Sequence, residues 1–145
     1  MPFIVRWPET IKKPKRDDMS VISAADFFPS FCAIAGATLP DGFAFDGKDK
    51  SDVLSGKSSD EERTLFWEYG RNNIAYRYPS GNDRSPNLSI REGKWKLLIN
   101  ADGTDIQLYN LEKDSRETTN IYRENAVITE RLKTKLLAWR KSLPD

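Results

Sequence analysis

The sequence predicts an α+β chain: a small antiparallel β-sheet covered by a C-terminal helix, preceded by one strand and one helix. Three observations carry this. Leu88–Arg91 and Trp95–Ile99 are β-forming runs on either side of Glu92-Gly93, and Asp102-Gly103 leads into a further run, Ile106–Tyr109. Ile128, Leu132, Leu136 and Trp139 recur at spacings of four, four and three, the period of a helix with one apolar stripe. Upstream, Phe3-Ile4-Val5 is an apolar run between prolines, and Asp26–Gly36 reads as a helix.

In chain order, Phe3-Ile4-Val5 suits a buried strand. The segment 11–18 is basic and contains proline, which suits a surface loop. In the first helix, Pro29 lacks an N–H and fits the first turn, Asp26 is the expected N-cap, and Gly36 is the expected left-handed stop. Its apolar positions fall on two adjacent faces, Phe27/Phe31/Ile34 and Phe28/Cys32/Ala35, so burial over much of its circumference is expected. Residues 37–59 hold the turn signals Pro40-Asp41-Gly42 and Asp46-Gly47, with one helical turn near Ser51–Leu54. This connection divides the chain into an expected 1–59 and 60–145. Leu65–Tyr69 is a strand candidate, and residues 70–86 are loop-like. Alternation places Trp95, Leu97 and Ile99 on one sheet face and Lys94, Lys96 and Leu98 on the other. A sheet with one apolar face needs a cover, and the last helix, N-capped by Asn125, supplies it.

Composition narrows function. The net charge of the 145 residues is +1 with 31% charged, so no basic footprint points to nucleic acid. No apolar run approaches the roughly 20 residues of a membrane span. The single cysteine excludes an internal disulfide framework, and there is no histidine to move protons near neutral pH. The opening Pro2–Pro8 reads as an interior strand, so Met1 is expected to mark a cut through a longer protein.

Four groups of polar residues are candidate sites. Lys94-Trp95-Lys96 has the composition of a nucleic-acid contact, but a strand with Trp95 inward and the lysines outward explains it better. Asp46, Asp49 and Asp52 have metal-like spacing, yet the glycine and bidentate glutamate of a calcium loop are out of register, which favours a solvated connection. The polar run Asp114–Asn120 consists of residues that bond local backbone in turns. Glu68, Arg71, Asn72 and Asn73 leave a strand anchored by Phe66 and Trp67 and enter a long polar loop, where an arginine with two asparagines suits carboxylate, sulfate or sugar hydroxyls.

Taken in order, these segments resemble the C-terminal part of the sulfatase family, the arylsulfatase-like hydrolases of the alkaline-phosphatase superfamily. "PFIVRWP" resembles the family's "VPFIVRWPG", and "VISAADFFPSFCAIAGATLP" resembles its "DLFPTLLDLAG" helix at Asp26, Phe28, Pro29, Ala35 and Gly36. "FDGKDKSDVLSG", "LFWEYG", and the pair "IREGKWKLL" and "LYNLEKDSRETTNI" resemble further family segments. The resemblance implies that residues 1–59 end a large catalytic α/β domain and that 60–145 form the family's small C-terminal subdomain, with Trp95 in its core. It implies a parent that hydrolyses sulfate esters, of a sulfated sugar or an aryl sulfate, using calcium and a formylglycine whose hydrate attacks sulfur. The nucleophile motif C/S-x-P-x-R is missing, because Cys32 is followed by Ala33-Ile34-Ala35. The family's calcium carboxylates and active-site histidines lie before "VPFIVRWP". No catalytic residue, metal ligand or cofactor is therefore expected in this chain. The implied partner is the N-terminal catalytic part of the same protein, periplasmic or extracellular if bacterial. A non-catalytic protein- or glycan-binding module and a related phosphoester or phosphonate hydrolase are the alternative readings.

Overall fold

The structure, a computed structural model, describes residues 3–57, 62–69 and 84–144. The chain divides into two compact units, Met1–Glu61 and Glu62–Asp145.

In the second unit, four strands form an antiparallel meander in sequence order: β1 (Thr64–Glu68), β2 (Leu88–Glu92), β3 (Trp95–Ile99) and β4 (Gln107–Asn110). The hairpin expectation holds, with its turn one residue further on. Glu92 pairs with Trp95, so the loop is Gly93-Lys94, and Gly93 takes φ 54°. That left-handed start is what a two-residue hairpin loop requires. The turn at Asp102-Gly103 is pinned by Asp102, whose Oδ1 accepts the Thr104 N–H at 2.9 Å and its hydroxyl at 2.6 Å.

Register puts Phe66, Ile90, Leu97 and Leu108 side by side on one face, next to Leu88 and Ile99. The 17-residue helix α3 (Ala126–Ser142) closes that face. Leu132 and Leu136 are fully buried against Leu88, Ile90, Leu97, Ile99 and Leu108, with Ile128 and Trp139 at the margin. Each such burial contributes about 1.5–3 kcal/mol. The Trp139 ring stacks on Phe66 with centroids 4.9 Å apart. Trp95 packs at the edge of this core, half-buried, rather than at its centre. It occupies the first position of β3. Asn125 stands at the N-cap position, but only its carbonyl caps, accepting the Thr129 N–H at 3.0 Å. Its side chain instead donates to the Ile121 carbonyl at 3.1 Å.

The first unit holds a 3-10 turn (Ala24–Asp26), α1 (Phe27–Ala35) and the single turn α2 (Ser51–Leu54). Gly36 ends α1 at φ 66°, as expected of a left-handed stop. Two expectations are corrected. Residues 3–5 form no strand, because a lone strand has no ladder without a neighbour to pair with. Likewise α1 is not buried round much of its circumference: Phe28, Phe31 and Ile34 are exposed. Asp26 also works differently from a simple N-cap. Its backbone is helical, and its fully buried carboxylate accepts the Ser23 N–H at 2.7 Å and the Lys48 N–H at 2.9 Å. Ser30 donates to the Asp26 carbonyl at 2.6 Å and accepts the Lys50 N–H at 2.8 Å. The segment Gly47–Lys50 is thereby held against the helix. Gly47 is required there, since a Cβ would sit 1.9 Å from the Ala25 carbonyl oxygen.

Leu136→Ala is expected to destabilise the second unit by about 2–5 kcal/mol, as for a fully buried leucine with little room to relax. Trp95→Ala should cost less, because its ring keeps contact with water. Urea melts of the two variants decide the order, and a larger loss at Trp95 would contradict this packing.

Candidate functional site

Glu68 ends β1, and its side chain is only 7% exposed. Its carboxylate accepts Arg140 Nε of α3 at 3.0 Å, so it ties strand to helix. Arg71, Asn72 and Asn73 lie outside the described residues. The stems that lead to them are held. The Tyr69 N–H donates to the Asn87 carbonyl at 2.8 Å, extending the β1–β2 ladder by one bond. Asn87 Oδ1 in turn accepts the Ala101 N–H at 2.9 Å.

A second charged cluster, which sequence reasoning missed, surrounds Glu92 at the other end of the sheet. Its carboxylate is bracketed by Arg131 and Lys135, one helical turn apart on α3, and accepts Thr64 Oγ1 at 3.2 Å. The hydrogen bond from Lys135 is the main cause of a pKa lowered from 4.5 to about 2; burial opposes it and Arg131 adds to it. The i, i+4 spacing of Arg131 and Lys135 was visible in the sequence, but their common partner, 39 and 43 positions away, was not.

Neither lysine of the Lys94-Trp95-Lys96 segment is simply solvated. Lys94 lies 5.9 Å from the centre of the Trp95 ring and 3.8 Å from Glu112. Lys96 bonds both oxygens of Glu117 at 2.7 Å in a half-buried pair. Glu117 holds this position with φ 57°, a left-handed conformation costly for a residue with a Cβ. The polar run that follows the sheet supports its own backbone, as expected. Asp114 Oδ2 accepts the Thr118 and Thr119 N–H groups at 2.8 Å, and the bond from Thr119 leads the lowering of its pKa. Asn120 Oδ1 accepts the Leu108 N–H at 3.0 Å, while its amide donates to the Ile106 carbonyl at 3.0 Å.

Asp46, Asp49 and Asp52 do not converge. Asp49 accepts the Ser51 N–H at 2.8 Å and Asp52 pairs with Lys57 at 2.6 Å. Among the described residues no group of three or more His, Cys, Asp or Glu is placed to hold a metal ion. Cys32 lies half-buried on α1 and lacks the flanking residues of a formylglycine site. The described residues therefore do not fit calcium, and Cys32 does not fit the formylglycine motif.

Among the described residues the arrangement is a four-stranded sheet closed by one helix, with charged pairs at both ends of β1. Comparison with known proteins decides its kind: the family described as N-sulphoglucosamine sulphohydrolase, C-terminal, matches residues 1–142. The chain belongs to this sulfatase C-terminal family. A sulfatase of Formosa agariphila is 29% identical over 157 residues, spanning 96% of this chain and 26% of the relative. Arylsulfatase K of Mus musculus is 32% identical over 123 residues, spanning 81% and 21%. A solved structure of a protein in complex with its substrate D-glucosamine-2-N,6-O-disulfate shares the fold, with TM-score 0.54 and 22% identity over 80% of this chain and 23% of that one. This sulfatase C-terminal chain thus spans about a quarter of the length of the relatives it matches. Its sheet-and-helix unit is the α+β arrangement expected from the sequence.

Two stability effects follow for this sulfatase C-terminal unit. The Glu92 contribution is fully present above the ordinary carboxylate value of 4.5 and is lost as pH falls through about 2. Glu92→Gln should therefore cost roughly 1–3 kcal/mol near neutral pH, discounted for solvent screening, and the gap to the parent should close toward pH 2. Denaturant melts from pH 7 to 2 measure this. Separately, Glu117→Gly should be milder than Glu117→Ala by about 1 kcal/mol, because both lose the Lys96 pair but only glycine accepts the left-handed backbone freely. Equal losses in thermal melts would show that position 117 is unstrained.

Proposed function

We propose that this chain is the C-terminal part of a sulfatase whose full-length form hydrolyses sulfate esters of a sulfated sugar. The observation that carries the reading is the family match over nearly the whole chain, taken with a chain that offers no nucleophile motif and no metal ligands among its described residues. The sugar preference is supported by the family's N-sulphoglucosamine description and by the disulfated glucosamine bound in the structural neighbour. Calcium and formylglycine are then contributed by the N-terminal catalytic part, which is the chain's principal partner. Residues 1–59 belong to that catalytic domain, and 60–145 form the small subdomain.

Within this reading the chain supplies scaffold and part of the cleft rim. The rim comprises Glu68, Arg71, Asn72 and Asn73. Glu68 acts from the base, where its bond to Arg140 holds the end of β1. Arg71 is the proposed contact to substrate, since its planar fork matches the oxygens of sulfate or carboxylate. Anchorage at both stems lowers the ordering cost of such a contact.

The test is a sulfatase assay of the full-length protein. Release of sulfate from a sulfated glucosamine is expected, and failure on every sulfate ester tried would refute the reading. Arg71→Ala should lower kcat/KM on the sugar by about tenfold or more, roughly 1.4 kcal/mol. A small aryl sulfate, lacking the remote contacts, should be affected less. Unchanged sugar kinetics in a variant that melts normally would remove this loop from the rim.

A further inference from the structure

The basic segment Lys12-Lys13-Pro14-Lys15-Arg16 has no part in the site described above. It places four cations in five residues, in a chain whose net charge is only +1. Every residue from Lys12 to Arg16 is exposed, yet the path of the segment is fixed at three points. Before it, the Trp7 carbonyl accepts the Thr10 and Ile11 N–H groups at 3.0 and 2.7 Å. After it, Asp17 closes a turn: its Oδ1 accepts the Met19 and Ser20 N–H groups at 2.9 and 3.0 Å, and its Oδ2 accepts the Ser20 hydroxyl at 2.7 Å. Between them, Lys15 Nζ donates to the Gly56 carbonyl at 2.8 Å, and Ile11 lies so near Gly56 that an added Cβ there would meet its Cγ1 at 3.3 Å. Pro14 fixes its own φ and biases Lys13 against helical backbone, which stiffens the segment further.

The neighbouring carboxylates leave these cations available. Asp17 is committed to its turn. Arg16 pairs with Asp18 at 2.9 Å and Lys12 with Glu9 at 3.9 Å, but all four side chains are exposed, and water-screened pairs of this kind contribute little and exchange readily for another anion. Lys13 has no hydrogen-bond or ion-pair partner among the described residues.

We infer that Lys12, Lys13 and Arg16, set in place by the Lys15 anchor, form a docking strap for a polysulfated glycan chain. The strap holds the polymer while a sulfate ester of it is cleaved elsewhere in the protein, so the inference rests on the reading of the chain as part of a sulfatase. Chemistry chooses the ligand. One exposed cation gains little from one sulfate. Several contacts to a single polyanion gain together, through linkage and through release of the counterions condensed along it, which favours a polymer over a free sulfate or a monosaccharide. No aromatic residue lies between Pro8 and Ser20, so the segment offers no platform on which bases could stack, which favours a glycan over a nucleic acid. Anchorage of the backbone lowers the ordering cost of the contact.

Heparin, a polysulfated glycan, is the probe. It should bind the 145-residue chain with an affinity that falls with salt, the slope of log K against log[salt] being about −2 or steeper. The triple variant Lys12→Gln/Lys13→Gln/Arg16→Gln keeps Lys15 and its bond to Gly56, so it should melt as the parent does. It should weaken heparin binding at least about tenfold and flatten the slope by about two. The control triple Lys113→Gln/Arg116→Gln/Lys141→Gln removes the same charge from exposed positions of the second unit and should cost much less. Equal losses from the two triples overturn the strap in favour of net charge alone. Single-stranded DNA that binds as tightly as heparin, and is lost in the same variant, overturns it in favour of a nucleic acid. In the full-length protein, the strap triple should raise KM on a sulfated polymer by about tenfold and leave unchanged both kcat and the kinetics on a monosulfated glucosamine. Heparin binding lost as expected, with no sulfate released from any ester, sinks only the proposed reaction. Sulfate release with heparin binding absent, or unaffected by the triple, sinks only the strap.

Discussion

One constraint organises the second unit: the apolar face of a four-stranded sheet must be closed, and a single helix closes it. Leu132 and Leu136 reach zero exposure only because Leu88, Ile90, Leu97, Ile99 and Leu108 lie on one face. That face exists only if the register is right, since a slip of one residue would turn each of these side chains outward. The turns Gly93-Lys94 and Asp102-Gly103 hold the register from the ends, so turn chemistry and core packing support the same arrangement.

Charge then fixes where the helix lies along the sheet. Arg131 and Lys135 clamp Glu92, which pairs with Thr64 at the start of β1, while Arg140 clamps Glu68 at its end. From Arg131 to Arg140 a helix rises about 13.5 Å. The four steps from Thr64 to Glu68 cover about 13 Å of strand. The two clamps therefore fit one alignment of helix and strand, with the Phe66–Trp139 stack between them. Leucines alone would permit sliding; partly buried ion pairs penalise it by leaving a carboxylate without its partner.

The first unit follows the opposite logic. Its fixed element is a polar knot, in which Asp26 and Ser30 hold the backbone of Gly47–Lys50. Hydrogen bonds to buried groups are directional and set the chain path, but they leave the phenyl rings of α1 without a core. The two units thus differ in which part of their stability they contain. One has its own apolar core, and the other has local geometry with apolar side chains that its described residues leave exposed.

The sequence by itself determined the elements that depend on neighbours close in the chain. The meander, the amphipathic α3, the left-handed Gly36 and the short turn at Ser51–Leu54 all rest on local propensity and periodicity, which act over a few residues. It also revealed the family, because the motifs are local strings. Tertiary structure alone decided what those residues touch. Glu68 read as a candidate ligand-facing carboxylate and proved to be the partner of Arg140, 72 positions away. Lys96 read as an outward-facing lysine and proved to bond the left-handed Glu117. The Glu92 clamp gave no sequence signal, since an ion pair across 39 and 43 positions has no periodicity to betray it. Apolar side chains at 3–5 and along α1 announced burial, and the chain alone does not bury them. Hydrophobicity marks side chains that favour burial, but only three-dimensional packing decides which of them are buried.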